Sequence, residues 1–156
     1  MKKGCSAYSQ LLTKVARLWA RLVPSVLVTM NHVQKLIKAM SKVQLNLVVI
    51  RSGNIEQATV FYQRLGLYFI KQQHGNGLEH FASEVGCVTF EIYPCTAGTL
   101  PTTATRLGFQ VSSVDAVVCE LKKHGASIVS PPADSAWGRR AVVADPDGHR
   151  VELTQL

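Results

Sequence analysis

A chain of 156 residues, 47% hydrophobic and 17% charged, is one domain's worth and buries roughly two thirds of the surface its unfolded form exposes. A formal net charge of +7 suggests nucleic acid or an anionic surface as a partner until the charge is located along the chain. Lys2, Lys3, Lys14, Arg17, Arg21, Lys35, Lys38 and Lys42 all fall in residues 1–42, which hold no acid, while residues 43–156 carry the other nine bases against all ten acids. A groove reader needs its cations on the folded surface, so no nucleic-acid partner is expected.

The first segment carries a helical pattern. Leu11, Leu12, Val15, Leu18, Trp19, Leu22 and Val26 recur at helical spacing with Lys14, Arg17 and Arg21 on the other side, giving a short basic amphipathic helix interrupted near Pro24. Three roles compete: a membrane-surface or targeting segment, a helix that docks on a partner, or sequence outside the working domain. Arg17 and Arg21 spoil a secretory signal, and no run of ~20 apolar residues exists for a transmembrane span. Met40-Ser-Lys-Val reads like a natural start directly before the first strand, so residues 1–42 are expected to be an extension to a functional domain at 43–156.

That domain opens with VQLNLVVI (43–50), apolar on both faces and therefore expected to be buried on both. Asn54 caps a helix, IEQATVFYQRLG, whose Ile55, Ala58, Phe61, Tyr62 and Leu65 share a face and whose Gly66 ends it. Strands follow from Leu67, Leu78 and Cys87, separated by turns at Gly75-Asn76-Gly77 and Val85-Gly86. The order is β-α-β-β-β.

After a linker rich in Thr, Gly and Pro (96–105) the order repeats. The strand RLGFQV (106–111) leads to a helix opened by the capping box Ser112-Ser113-Val114-Asp115 and ended at Gly125; then come ASIVS, a Pro131-Pro132 loop and a closing hairpin. In that hairpin Asp145-Pro146-Asp147-Gly148 makes the turn between WGRRAVVA and a last strand in which Val151 and Leu153 alternate with Arg150, Glu152 and Thr154. Sliding the first half by 59 residues lays strand on strand, Ile55 on Val114, and Gly66 on Gly125. The repeat predicts an α+β fold of two βαβββ modules, 43–95 and 105–156.

Two such modules, the FYQRLGL helix end, the LGFQV strand before a capped helix, and the closing WGRRAVVADPDGHRVEL resemble the vicinal oxygen chelate superfamily. That superfamily takes in glyoxalase I, bleomycin-resistance proteins, fosfomycin-modifying enzymes and extradiol dioxygenases. The resemblance implies a curved mixed sheet around a cleft for a small ligand, closed by modules of one chain or exchanged between two, and a homodimer. It also implies four metal-ligand positions, on the first and fourth strand of each module. They fall on Leu47, Glu91, Arg106 and Glu152.

Strand parity agrees, since Glu91 lies opposite Phe90 and Ile92 just as Glu152 lies opposite Val151 and Leu153. A catalytic divalent ion needs about three protein ligands; Leu47 offers none, and Arg106 is a permanent cation. We therefore expect no metal, with Arg106 bridging Glu91 and Glu152 through charge-assisted bonds. His74, His80, His124 and His149, none at a ligand position, are expected at the surface or half-buried. Cys5, Cys87, Cys95 and Cys119 form no CxxC pair and are expected to be reduced cysteines packed as small apolar groups in a cytoplasmic protein.

By parity Leu45, Leu47, Val49, Thr89, Tyr93, Gly108 and Gln110 share the face of Glu91 and Arg106, and Trp137 stands at a strand mouth where it can stack on a ligand. The expected function is binding of a small organic molecule without a metal, in the style of the drug-sequestering members. Arg106 favours an anionic or neutral ligand. The runner-up is a metal-dependent lyase, transferase or dioxygenase using Glu91 and Glu152; a third reading is an interaction module docked through the N-terminal helix.

Overall fold

The computed structural model describes residues 43–156, so the expected N-terminal helix lies outside the described residues. Leu45–Leu156 form one compact unit of eight strands and two helices. The first module comprises β1 (Leu47–Ser52), α1 (Ile55–Gln63), β2 (Ile70–Gln72), β3 (His80–Val85) and β4 (Val88–Pro94). The second comprises β5 (Arg106–Val111), α2 (Val114–Lys123), β6 (Ser127–Ser135), β7 (Gly138–Ala144) and β8 (Arg150–Gln155). Each builds a four-stranded sheet of the same topology, β1-β4-β3-β2 and β5-β8-β7-β6, in which the first and last strands of the module run parallel. The repeat seen in the sequence is the repeat of the fold.

Local chemistry sets the helix ends. The Asn54 side chain accepts from Gln57 N at 3.0 Å and that of Ser113 from Ala116 N at 3.2 Å, each satisfying a donor that the first helical turn leaves unpaired. Gly66 and Gly125 follow the two helices at φ of 97° and 81°, a left-handed backbone that glycine adopts without steric cost. Ile55, Ala58, Phe61 and Tyr62 of α1 and Val114, Val118 and Leu121 of α2 are buried. With Ile50, Phe90, Ile92, Val143, Val151 and Leu153 they form one core that spans both modules. Tyr62 lies 5.0 Å from Phe90 and 6.1 Å from Phe109, ring centre to ring centre, so aromatic contacts cross the module boundary.

The closing hairpin locks that boundary. Asp145 Oδ1 accepts the backbone N–H groups of Asp147, Gly148 and His149 at 3.1, 2.9 and 2.8 Å, while its Oδ2 accepts from Tyr62 Oη and from His149 Nδ1, each at 2.9 Å. Asp147 Oδ1 reaches back to the first module and accepts Gly53 N at 2.8 Å. A carboxylate only accepts, so His149 carries its proton on Nδ1; Nε2 faces the Thr102 hydroxyl at 2.9 Å, and Thr102 Oγ1 accepts Arg51 N at 3.0 Å. Burial, and then the neighbouring Asp145 carboxylate, push the Tyr62 hydroxyl far above the ordinary phenol range, so it remains a donor. The motif that marks the family resemblance is structural here: it staples one module to the other.

Three expectations are corrected. β1 starts later than expected and is buried on one face only: Ile50 and Ser52 are inaccessible, whereas Leu47 and Val49 are 46% and 40% exposed. The stretch around Pro131-Pro132 is strand, not loop; β6 is an edge strand whose register shifts at Ile128/Ser130 and Ser130/Ala133 absorb the missing N–H donors. Cys87 and Cys119 are exposed and Cys95 half-buried, so these thiols do not pack as core groups. Among the described residues no helix is long and apolar enough to cross a membrane.

Candidate functional site

Alternation along each strand divides the sheets into a core face and an open face. In the first sheet Val48 and Ile50, Phe90 and Ile92, and Phe81 and Ser83 point to the core side; Leu47, Val49, Glu91, Tyr93, His80 and Ala82 occupy the other. In the second, Val151, Leu153 and Ala141 are buried while Arg106, Gly108, Gln110, Arg140, Arg150 and Glu152 share the open face. Register repeats too. Glu91 pairs with Val49 and Glu152 with Gly108, so the carboxylates occupy matching places in the two modules. Gly108 leaves that place bare, since a Cβ added there would meet no atom within 4 Å.

The two carboxylates have different company. Glu152 is held between guanidinium groups, Arg106 Nη2 at 3.2 Å and Arg140 Nη2 at 3.1 Å. Arg140 in turn lies 6.0 Å from the ring centre of Trp137, which is 77% exposed at the β6–β7 turn. Gln110 is exposed farther along β5. The second module's open face thus presents three arginines, two of them paired with its one acid. Glu91, by contrast, sits beside Tyr93 and an imidazole: His80 Nε2 lies 3.8 Å from its Oε1. Among the described residues no ion pair within 4.0 Å joins Arg106 to Glu91, so the expected bridge between the carboxylates is replaced by Arg106 and Arg140 sharing Glu152.

Two histidines depart from expectation: His80 and His149 are fully buried. His149 belongs to the hairpin lock. His80 stacks on Tyr93 with ring centres 4.1 Å apart and planes 8° from parallel, and the His74 ring centre lies 5.2 Å away. The turn signal at Gly86 contained this information, because counting back along β3 from a hairpin there sets His80 next to Tyr93 and diagonal to Glu91. His124 caps the C-terminal end of α2, exposed, with Glu120 at 2.9 Å.

One cavity of about 480 Å³ lies elsewhere, between α1, α2 and the start of β6, lined by Val60, Phe61, Leu121, His124 and Pro146 among others. None of the residues expected to bind a ligand lines it.

Comparison with known proteins matches the domain as a whole. A family model for the Glyoxalase/Bleomycin resistance protein/Dioxygenase superfamily covers residues 44–153. An uncharacterized protein of Mycolicibacterium smegmatis is 32% identical over 111 residues, 70% of this chain and 91% of the relative. Among solved structures, TnmS3, an antibiotic binding protein from Streptomyces sp. CB03234, superposes with a TM-score of 0.61 at 24% identity, over 72% of this chain and 95% of its own. A glyoxalase I mutant from Zea mays superposes with a TM-score of 0.60 at 18% identity, over 70% of this chain and 43% of its own. At these identities the structural likenesses establish a common fold, which carries a binding protein in one case and an enzyme in the other.

Proposed function

Because the chain belongs to the glyoxalase/bleomycin resistance protein/dioxygenase superfamily, we propose that it binds a small organic molecule on the open faces of its sheets, with no metal ion held across the superfamily's four ligand positions. One observation carries this reading: Glu152, a ligand position by resemblance, is occupied by Arg106 and Arg140 at 3.2 and 3.1 Å. A carboxylate paired with two guanidinium groups has its charge already balanced, and a permanent cation stands where an ion would have to. Leu47 supplies no donor at all. The runner-up, a metal-dependent enzyme that uses Glu91 and Glu152 together, needs both carboxylates free to meet one ion.

Contacts to the ligand come from Leu47, Glu91 and Tyr93 on the first module and from Arg106, Gln110, Trp137 and Glu152 on the second. Arg106, Arg140 and Arg150 outnumber Glu152, which selects an anionic or neutral molecule; the exposed Trp137 indole offers a flat surface for stacking. The protein acts in the cytoplasm as a homodimer, its cleft closed when a second copy covers the exposed Leu47 and Val49. The antibiotic-binding name of TnmS3 supports the choice of a binder over an enzyme.

The test is a thermal-shift screen of small anionic and neutral aromatic compounds on the full chain, repeated on Arg106→Ala and Trp137→Ala. Ligands that stabilise the wild type and lose at least about tenfold in affinity in both variants are expected. Stoichiometric metal binding that Glu152→Gln abolishes would overturn the reading.

A further inference from the structure

Beyond that reading, we propose a divalent transition-metal site on the first module alone, formed by His74, His80 and Glu91, which shares only Glu91 with the four-strand position. One ligating atom from each of the three lies within 4.8 Å of the others. His80 is inaccessible to solvent, yet its Nε2 has no hydrogen-bond partner. A buried nitrogen without a partner costs free energy, and it is directed at the Glu91 carboxylate from 3.8 Å, too far to hydrogen-bond. Two donors on one zinc ion, each about 2.0–2.2 Å from it, stand about 3.4 Å apart at the tetrahedral angle and about 4.2 Å apart at most. The separation of His80 and Glu91 falls inside that range.

The surroundings prepare His80 as a ligand. Its Nδ1 lies 3.2 Å from the Leu78 carbonyl oxygen, which only accepts, so Nδ1 is the donor and Nε2 is the nitrogen left to ligate. A backbone carbonyl behind the far ring nitrogen is how metal-bound histidines are usually oriented. Stacking on Tyr93 fixes the plane of the ring. His74 is placed by a tight turn in which Gly77 N donates to His74 O at 2.9 Å and Gln73 Nε2 donates to Gly77 O at 2.9 Å. Being exposed, its side chain can rotate to close the last ångström.

Two imidazoles and one carboxylate select borderline ions, Zn²⁺, Co²⁺, Ni²⁺ or Fe²⁺, over Mg²⁺ and Ca²⁺, which prefer oxygen. Three protein donors leave a position for water or for an oxygen donor of a bound molecule, on the face that carries Leu47 and Val49. The other cluster of ligand-type residues, Asp145, Asp147 and His149, makes no such case, since Asp145 and His149 already serve the hairpin lock.

Titration of the chelator-stripped full chain with ZnCl₂ or CoCl₂ tests the site. One ion per chain is expected, with affinity weakened at least about tenfold in His74→Ala and in Glu91→Gln and unchanged in Glu152→Gln. Because the buried His80 resists substitution, its role is read by side-chain nitrogen NMR: Zn²⁺ moves the Nε2 resonance of His80 and leaves that of His149 in place. Absence of stoichiometric binding, binding unaffected by His74→Ala and Glu91→Gln, or an unmoved His80 resonance overturns the proposal. Binding that depends on Glu152 overturns it as well, and with it the metal-free reading of the four-strand position.

Discussion

Tyr62 on α1 donates its hydroxyl to Asp145 on the closing hairpin across 2.9 Å, so one bond in the core joins the helix of the first repeat to the last turn of the second. Tyr62→Phe keeps the ring contacts with Phe90 and Phe109 and removes only that donor. We expect a loss of about 1–2 kcal/mol in urea unfolding, with an unchanged denaturant slope, because a buried carboxylate loses one of its partners. A change in slope would mean instead that the modules unfold separately.

Acid weakens an ion pair at the start of α2. Arg139 donates to Asp115 through Nε and, at 2.7 Å, through Nη2, and the hydrogen bond lowers the Asp115 carboxyl below the 3.8 of a free side chain. The folded-state value is the depressed one, so the pair's contribution is present above the unfolded value and vanishes as pH falls through the folded value. The stability difference between wild type and Asp115→Asn should hold steady above about pH 5, then close below about pH 4. Since the pair is exposed, added salt should narrow the difference at neutral pH.

Gly77 is fixed by crowding. A Cβ there would lie 2.9 Å from the His74 carbonyl oxygen, a contact the turn relieves only by opening. Gly77→Ala should cost about 1–2 kcal/mol of stability and weaken Zn²⁺ binding about as much as His74→Ala does. Unfolding titrations and metal titration on the same sample check both.

Leu47 and Val49 make an apolar row on the open face, 46% and 40% exposed. If a second copy covers it, Val49→Asp buries a charge in the interface and should shift light-scattering mass from dimer to monomer at micromolar concentration, while the unfolding temperature of the monomer changes little. An unchanged dimer would place the interface elsewhere.

Much of this architecture was legible in the chain. The 59-residue offset between halves, the caps at Asn54 and Ser113 and the Asp145–Gly148 turn rest on local rules: repetition, side-chain-to-backbone bonding and turn chemistry. Glu152 opposite Val151 and Leu153 needed only alternation. What local rules missed were facts of the neighbourhood. VQLNLVVI is apolar throughout, and nothing in such a run says which face the sheet will leave open. Pro131 and Pro132 looked like breakers because their edge position, where missing donors are tolerated, is decided by sheet order. His80 looked superficial because its cover comes from Tyr93, a strand away, and its unmet nitrogen is visible only once Glu91 and His74 are set around it. Arg106 pairs with Glu152 rather than bridging to Glu91, and Arg140, brought in from a third strand by the sheet order, shares that acid.

Gly108 and Gly77 stand at opposite ends of a scale of mutability. At Gly77 any side chain collides with backbone, so the turn's shape depends on that glycine. At Gly108, beside Glu152, the space over the strand is open and a side chain would touch nothing within 4 Å. A single substitution can enlarge that residue and fill the space next to the acid, leaving the core intact. The shape of the open face beside Glu152 can therefore change at Gly108 while the core beneath it stays as it is.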